Sequence, residues 1–215
     1  MRPPYQTVVF FPGLGPWMQE TFPGDLADSP YWFLFLVRSG RAVLFPVYKG
    51  MWERHIGSPF LPHIWRDVVI YSAKDLRRAV DYLETRPDID ARRLAHLGFS
   101  SGASLGPIMT AVEPRFQASV LLSGGLFPWR TPSESEAIHF LPRVTVPTLL
   151  INGRHDLYYP HDASQLRMFE LLGSARADKN HVVFDEEGHT LTDRPAVMRE
   201  VLDWLDRYLG PVNRP

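Results

Sequence analysis

The chain contains no cysteine. That removes a disulfide framework, a thiol nucleophile and thiolate metal sites at once. Lysine is nearly as scarce: of 23 basic residues only Lys49, Lys74 and Lys179 are lysine, the rest arginine. With 24 acidic residues the net charge is −1, so the basic field that nucleic-acid binding needs is missing. No stretch reaches the ~18 consecutive apolar residues of a membrane helix. The opening MRPPYQTVVFFPG holds too short an apolar run for a signal peptide, and no cleavage pattern follows it. No helical His-x-x-x-His, no G-x-x-x-x-G-K-[ST] and no G-x-G-x-x-G after a strand occurs, so neither a metal nor a cofactor is expected. What remains is ordinary: 215 residues, 45% apolar and 22% charged, enough for one sizeable core. A single domain over 1–215, acting in the cytoplasm on a small molecule, with neither nucleic acid nor membrane as partner, is the expectation.

Apolar runs alternate with helical patterns along the chain. Strands are expected at Thr7–Phe11, Ala42–Val47, Leu94–Phe99, Ala118–Leu122, Thr148–Ile151 and Val182–Phe184. Pro46 places the second of these at an edge or a strand end. Helices are expected at Pro30–Ser39 (Ser29 as cap, Gly40 beyond the end), Arg66–Arg86, Ser101–Val112, Leu166–Leu172 and Arg199–Leu209. The strands are solid apolar runs rather than alternating ones, which predicts a mainly parallel sheet of about six strands covered on both faces. In such α/β sheets ligands bind at the carboxyl ends of the strands, so the loops there carry the function.

One such loop reads GFSSGASLG, residues 98 to 106, in which Gly-x-Ser-x-Gly fits twice and shares Gly102. The bare motif is weak; its context is not. A serine nucleophile on this motif needs strand, tight turn and helix in that order. The strand-like RLAHL precedes Gly98, whereas FSS precedes Gly102. Ser100 is therefore the candidate nucleophile, and Ser104 falls one turn into the helix with its hydroxyl beside the backbone. A serine needs a base, and the base needs a carboxylate to orient it. NGRHD after the fifth strand offers Asp156; DEEGHT after the sixth offers His189. Competing acids are Asp162, read as a helix cap, and Asp185, Glu186 and Glu187, read as a solvated turn. Among the other histidines, His96 and His181 fall in or beside strands, His155 should point away from Asp156, and His55, His63, His139 and His161 sit in loops. The developing oxyanion needs backbone N–H donors. Ser101, at the helix start, and Leu14, in the PGLG loop after the first strand, are the candidates.

The order Ser…Asp…His, with each residue following a strand, is that of the α/β-hydrolase superfamily. The chain resembles its dienelactone hydrolase/acetyl-xylan-esterase-like branch in FPGLG, GRAVLFPVYKGMWER, LAHLGFSSGA, VPTLLINGRHD and EVLDWLDRYLGPV. Within that branch it is similar to hydrolase domains attached to some bacterial protein kinases or formylglycine-generating-enzyme-like proteins. The resemblance implies an α/β-hydrolase fold and hydrolysis of carboxylic esters through Ser100, Asp156 and His189. It departs from the pattern in carrying Pro12-Gly13 where many members have His-Gly. It also lacks the usual first two antiparallel strands and room for a large cap domain. The Ala42–Val47 strand is then an exposed edge, which a homodimer or a partner domain would cover. Trp17, Phe22, Trp52, Phe60, Phe127 and Trp129 could wall a shallow pocket for short acyl groups; the competing expectation is that about half of them are core, Phe60 among these, as is the neighbouring Trp65. An Arg54–Glu53 pair is expected to stiffen the second-strand loop beside Tyr48 and Lys49, with substrate contact as the alternative. A peptidase or other acyl hydrolase of the same fold, and a non-catalytic interaction module, remain as alternative functions. For any histidine base, activity should fall on acidification.

Overall fold

The computed structural model describes residues 2–24 and 33–212. Six strands form one sheet: β1 (Tyr5–Phe11), β2 (Ala42–Leu44), β3 (Ile89–Phe99), β4 (Phe116–Leu122), β5 (Thr148–Gly153) and β6 (Lys179–Phe184). The spatial order is β2-β1-β3-β4-β5-β6, and all five pairings are parallel. Among the described residues are five α-helices: α1 (Leu34–Ser39), α2 (Pro62–Glu84), α3 (Ser101–Val112) and α4 (Arg167–Leu171) lie between strands, and α5 (Arg194–Leu209) follows β6. Among the described residues no antiparallel strand precedes β1.

Parallel strands buried on both faces explain the solid apolar runs. Along β1 the side chains alternate between two cores: Val8 and Phe10 join α1 and α5 on one face, Val9 and Phe11 join α2 and α3 on the other. β4 and β5 repeat the division. Val120, Leu149 and Ile151 pack under Val201, Trp204 and Leu205 of α5, while Leu121 and Leu150 meet Met168 and Leu172. Each such fully buried side chain contributes roughly 1.5–3 kcal/mol.

β2 is shorter than expected. It ends at Leu44, before Pro46, whose missing N–H cannot continue a ladder. It pairs with β1 alone and forms one edge of the sheet. The Ser29–Pro30 helix start lies outside the described residues; the helix seen from Leu34 closes at Gly40, whose φ of 99° gives the left-handed cap. The segment expected as a helix from Leu166 is preceded by a π-helical turn, His161–Leu166. Asp162 does not cap it: its carboxylate pairs with His161 Nδ1 at 2.7 Å, and Pro160 holds the cap position. The Arg54–Glu53 pair does not form either. Arg54 reaches Asp75 (2.8 Å), while Glu53 accepts the Phe22 N–H (2.8 Å).

The chain steps from β1 outward to β2, then returns to lay β3 on the other side of β1. The loops after β1 and β3 therefore diverge, opening a crevice at the carboxyl edge where α/β proteins place ligands.

One buried and one half-buried histidine tie this packing to pH. His96, on β3, lies fully buried with Nδ1 3.2 Å from Ser119 Oγ, and burial drives its pKa down to about 3. His181, on β6, is pushed down to about 4, chiefly by burial and then by the neighbouring His161 and Arg154. Both are neutral in the folded chain at pH values where the unfolded chain protonates them, so the unfolded state binds more protons. Stability is thus fully present above pH ~6.5 and is lost as pH falls toward these depressed values. Thermal melts from pH 7 to 4 should show a falling Tm, with a shallower slope in His96→Leu than in the parent chain; parallel slopes would contradict the assignment.

Candidate active site

Ser100 is held where few residues other than glycine can sit. Its φ is 55°, at the junction of β3 and α3. Its N–H bonds to Leu122 O (2.8 Å), and its carbonyl accepts the Ser104 N–H (2.9 Å). The glycines two places to either side are sterically required. A Cβ on Gly98 would drive into the Gly102 carbonyl, and one on Gly102 into the Phe11 carbonyl, so the turn packs backbone on backbone against β1. The second serine of the motif, Ser104, is fully buried: its hydroxyl donates to Ser100 O (3.3 Å) and accepts from Gly125 N (3.3 Å).

Asp156 follows β5 and is 2% exposed. Its Oδ1 accepts the backbone N–H groups of Tyr158 (2.8 Å) and Tyr159 (3.0 Å), leaving Oδ2 for His189 Nδ1 at 2.8 Å. His189 Nε2 then lies 2.9 Å from Ser100 Oγ. Three loops from three strands thus converge on one line of hydrogen bonds. The loops after β5 and β6 are fastened to each other: Arg154 N–H to Phe184 O (3.0 Å), His155 N–H to Glu187 O (2.9 Å). A Cβ on Gly153 would enter the Gly188 carbonyl, so this approach also needs glycine. Asn152 braces the pair from beneath, donating to Gly124 O (2.8 Å) and facing His181 Nε2 (3.1 Å). Glu187 is more than a solvated turn. Its carboxylate accepts the N–H groups of Thr192 and Asp193, both at 2.9 Å, which anchors the chain just past His189. The backbone bond to Glu187 anchors His155 as well; its side chain is exposed and takes no part in the line.

Leu14 and Ser101 flank Ser100 in the same cleft. Gly13 lies against the serine: a Cβ there would sit 3.4 Å from Ser100 Cβ. Ser101 opens α3, whose first N–H groups have no acceptor within the helix and carry the positive end of its dipole.

The cleft over Ser100 and His189 encloses about 660 Å³. Its walls include Phe60, Phe99, Phe127, Trp129, Tyr158 and Tyr159. Of the aromatics expected there, Trp17 and Trp52 are core instead, 2% and 4% exposed, and Phe22 packs on Trp52. Trp65 is core as expected, but Phe60 is 64% exposed and turned to the cleft. The residues that sequence reasoning missed are chiefly Tyr158 and Tyr159. Their side chains flank the imidazole, with ring centroids 4.8 and 5.8 Å from it. The Tyr159 hydroxyl faces Ser104 and Ser100, and burial lifts its pKa to about 12, so it stays neutral. The signal was the YY pair directly after the Asp156 loop.

If the glycine approach sets the turn, Gly102→Ala should cost about 3 kcal/mol or more, because a backbone carbonyl cannot move aside as a flexible side chain would. A Tm drop of roughly 6–12 °C checks this; an unchanged melt would refute it.

The sequence matches no protein-family model and no curated protein. Solved structures do match. A provisionally assigned dienelactone hydrolase from Klebsiella pneumoniae aligns over 97% of this chain and 89% of its own, with TM-score 0.72 and 19% identity. Acetyl xylan esterase 1 from Thermoanaerobacterium aligns over 97% of this chain and 76% of its own, with TM-score 0.70 and 16% identity. A provisionally assigned dipeptidyl aminopeptidase IV from Bacteroides ovatus aligns over 97% of this chain but 33% of its own, with TM-score 0.76 and 16% identity. At these identities the likeness establishes the architecture: the chain has the α/β-hydrolase fold.

Proposed function

We propose that the protein is a serine carboxylesterase acting on short-chain acyl esters. The observation that carries this reading is the unbroken line from Asp156 through His189 to Ser100, with spacings of 2.8 and 2.9 Å. His189 takes the proton from Ser100 as Ser100 attacks the ester carbonyl. Asp156 holds the tautomer that leaves Nε2 free and stabilises the imidazolium that forms. The Leu14 and Ser101 N–H groups receive the oxyanion. His189 then protonates the leaving alcohol, and water repeats the steps on the acyl-enzyme.

Short acyl groups suit a cleft shaped by loops alone, with no cap domain over it among the described residues. The fold likeness to esterases supports the reaction class. The peptidase-like neighbour shares only 33% of its own length with this chain, so its likeness bears on the fold alone and a peptidase stays the alternative. The narrower likeness to kinase-linked hydrolase domains rests on the sequence segments alone. A second copy covering the β2 edge stays a proposal, which light scattering would test.

On p-nitrophenyl esters from acetate to laurate, rates should be highest at the short end. Ser100→Ala should lower kcat at least ~10⁴-fold, and Asp156→Asn by about the same factor. Ser104→Ala should retain turnover. Activity surviving in Ser100→Ala would overturn the assignment.

A further inference from the structure

We propose that the esters entering this site are presented from an aggregated phase, a droplet or micelle of apolar ester, on which the rim of the cleft seats. The proposal rests on the esterase reading and adds the physical form of the substrate. Met18, Phe60, Trp129, Leu157 and Tyr158 are 57, 64, 49, 91 and 69% exposed, and all five border the opening over Ser100 and His189. Leu61, 49% exposed, stands next to Phe60 outside the cleft. Single exposed apolar side chains are ordinary; five from four separate loops meeting at one opening are not.

The exposure is built in. Leu157 lies between Asp156 and the two residues whose N–H groups bind Asp156 Oδ1. The turn that fixes the acid therefore also projects Leu157 into solvent. Tyr158 and Trp129 add side chains that are apolar along the ring and polar at one atom, suited to a boundary between oil and water. The position of the ring selects its occupant. A protein partner or a second copy seated there would cover the way to Ser100. A surface made of substrate covers the ring and supplies the site together, and the fluid phase lets product leave.

The test uses tributyrin, a triester of a short acid, across its solubility limit, with p-nitrophenyl acetate as the dissolved reference. The rate on tributyrin should rise at least ~5-fold beyond simple saturation as droplets form, while the acetate follows ordinary saturation. Ser100→Ala should co-float with tributyrin droplets. Leu61→Asp should keep the acetate rate and lose part of the rise; Leu61→Asp with Leu157→Asp should lose the flotation. Smooth saturation through the limit without co-flotation would overturn the proposal and leave the esterase reading intact. A rim-mediated dimer that Leu157→Asp dissociates would overturn it too. Failure to hydrolyse any ester would instead overturn the esterase reading and this inference with it.

Discussion

The contact on which the rest depends is the approach of the Gly102 backbone to the Phe11 carbonyl of β1. A strand that must turn at once into a helix, while touching its neighbour backbone to backbone, has room for no side chain at that point. The same turn holds Ser100 at a φ of 55°, with its hydroxyl lifted above the sheet and the first N–H groups of α3 beside it. Local strain at a functional residue persists only when its surroundings over-determine it. Here two glycines, the Ser100 N–H bond to Leu122 and the buried Ser104 hydroxyl do so. Ser104 thus has a structural place beneath the turn, which accounts for the serine in the second copy of the motif.

The second constraint fastens two loops into one piece. Gly153 against Gly188, together with the backbone bonds from Arg154 and His155, makes the β5 and β6 loops a single scaffold. Asp156 spends one oxygen on its own loop and the other on His189, so the carboxylate has no freedom to turn away. The imidazole is steered by Asp156 on one side and packed by Tyr158 and Tyr159 on another. The order in the hydrogen-bonded line therefore follows from loop packing that extends well past the three side chains themselves.

The parallel sheet and the strand-to-helix turn were legible because both are local: solid apolar runs, then glycines at fixed offsets from a serine. The placement of Asp156 and His189 after adjacent strands was legible for the same reason, and the structure brings them within hydrogen-bond reach of each other and of Ser100. What the sequence hid depends on tertiary direction. Trp17 and Phe60 look equally apolar, yet one is locked beneath α2 and the other stands over the cleft. Arg54 chose Asp75, a partner on α2, over the adjacent Glu53 because the loop folds back across that helix. Pro46 ended β2 early, and the carboxylate of Glu187 became an anchor for a loop five residues further on. Each of these turns on which surface a loop meets, and periodicity carries no information about that.

The central claim is that Ser100 is the nucleophile activated by His189. A fluorophosphonate that phosphonylates activated serines, followed by peptide mapping with mass spectrometry, tests it without assuming a substrate. One adduct should appear, on Ser100, with none on Ser104, and it should disappear in a folded His189→Asn chain. An unmodified folded protein, or an adduct on any other serine, would contradict the claim.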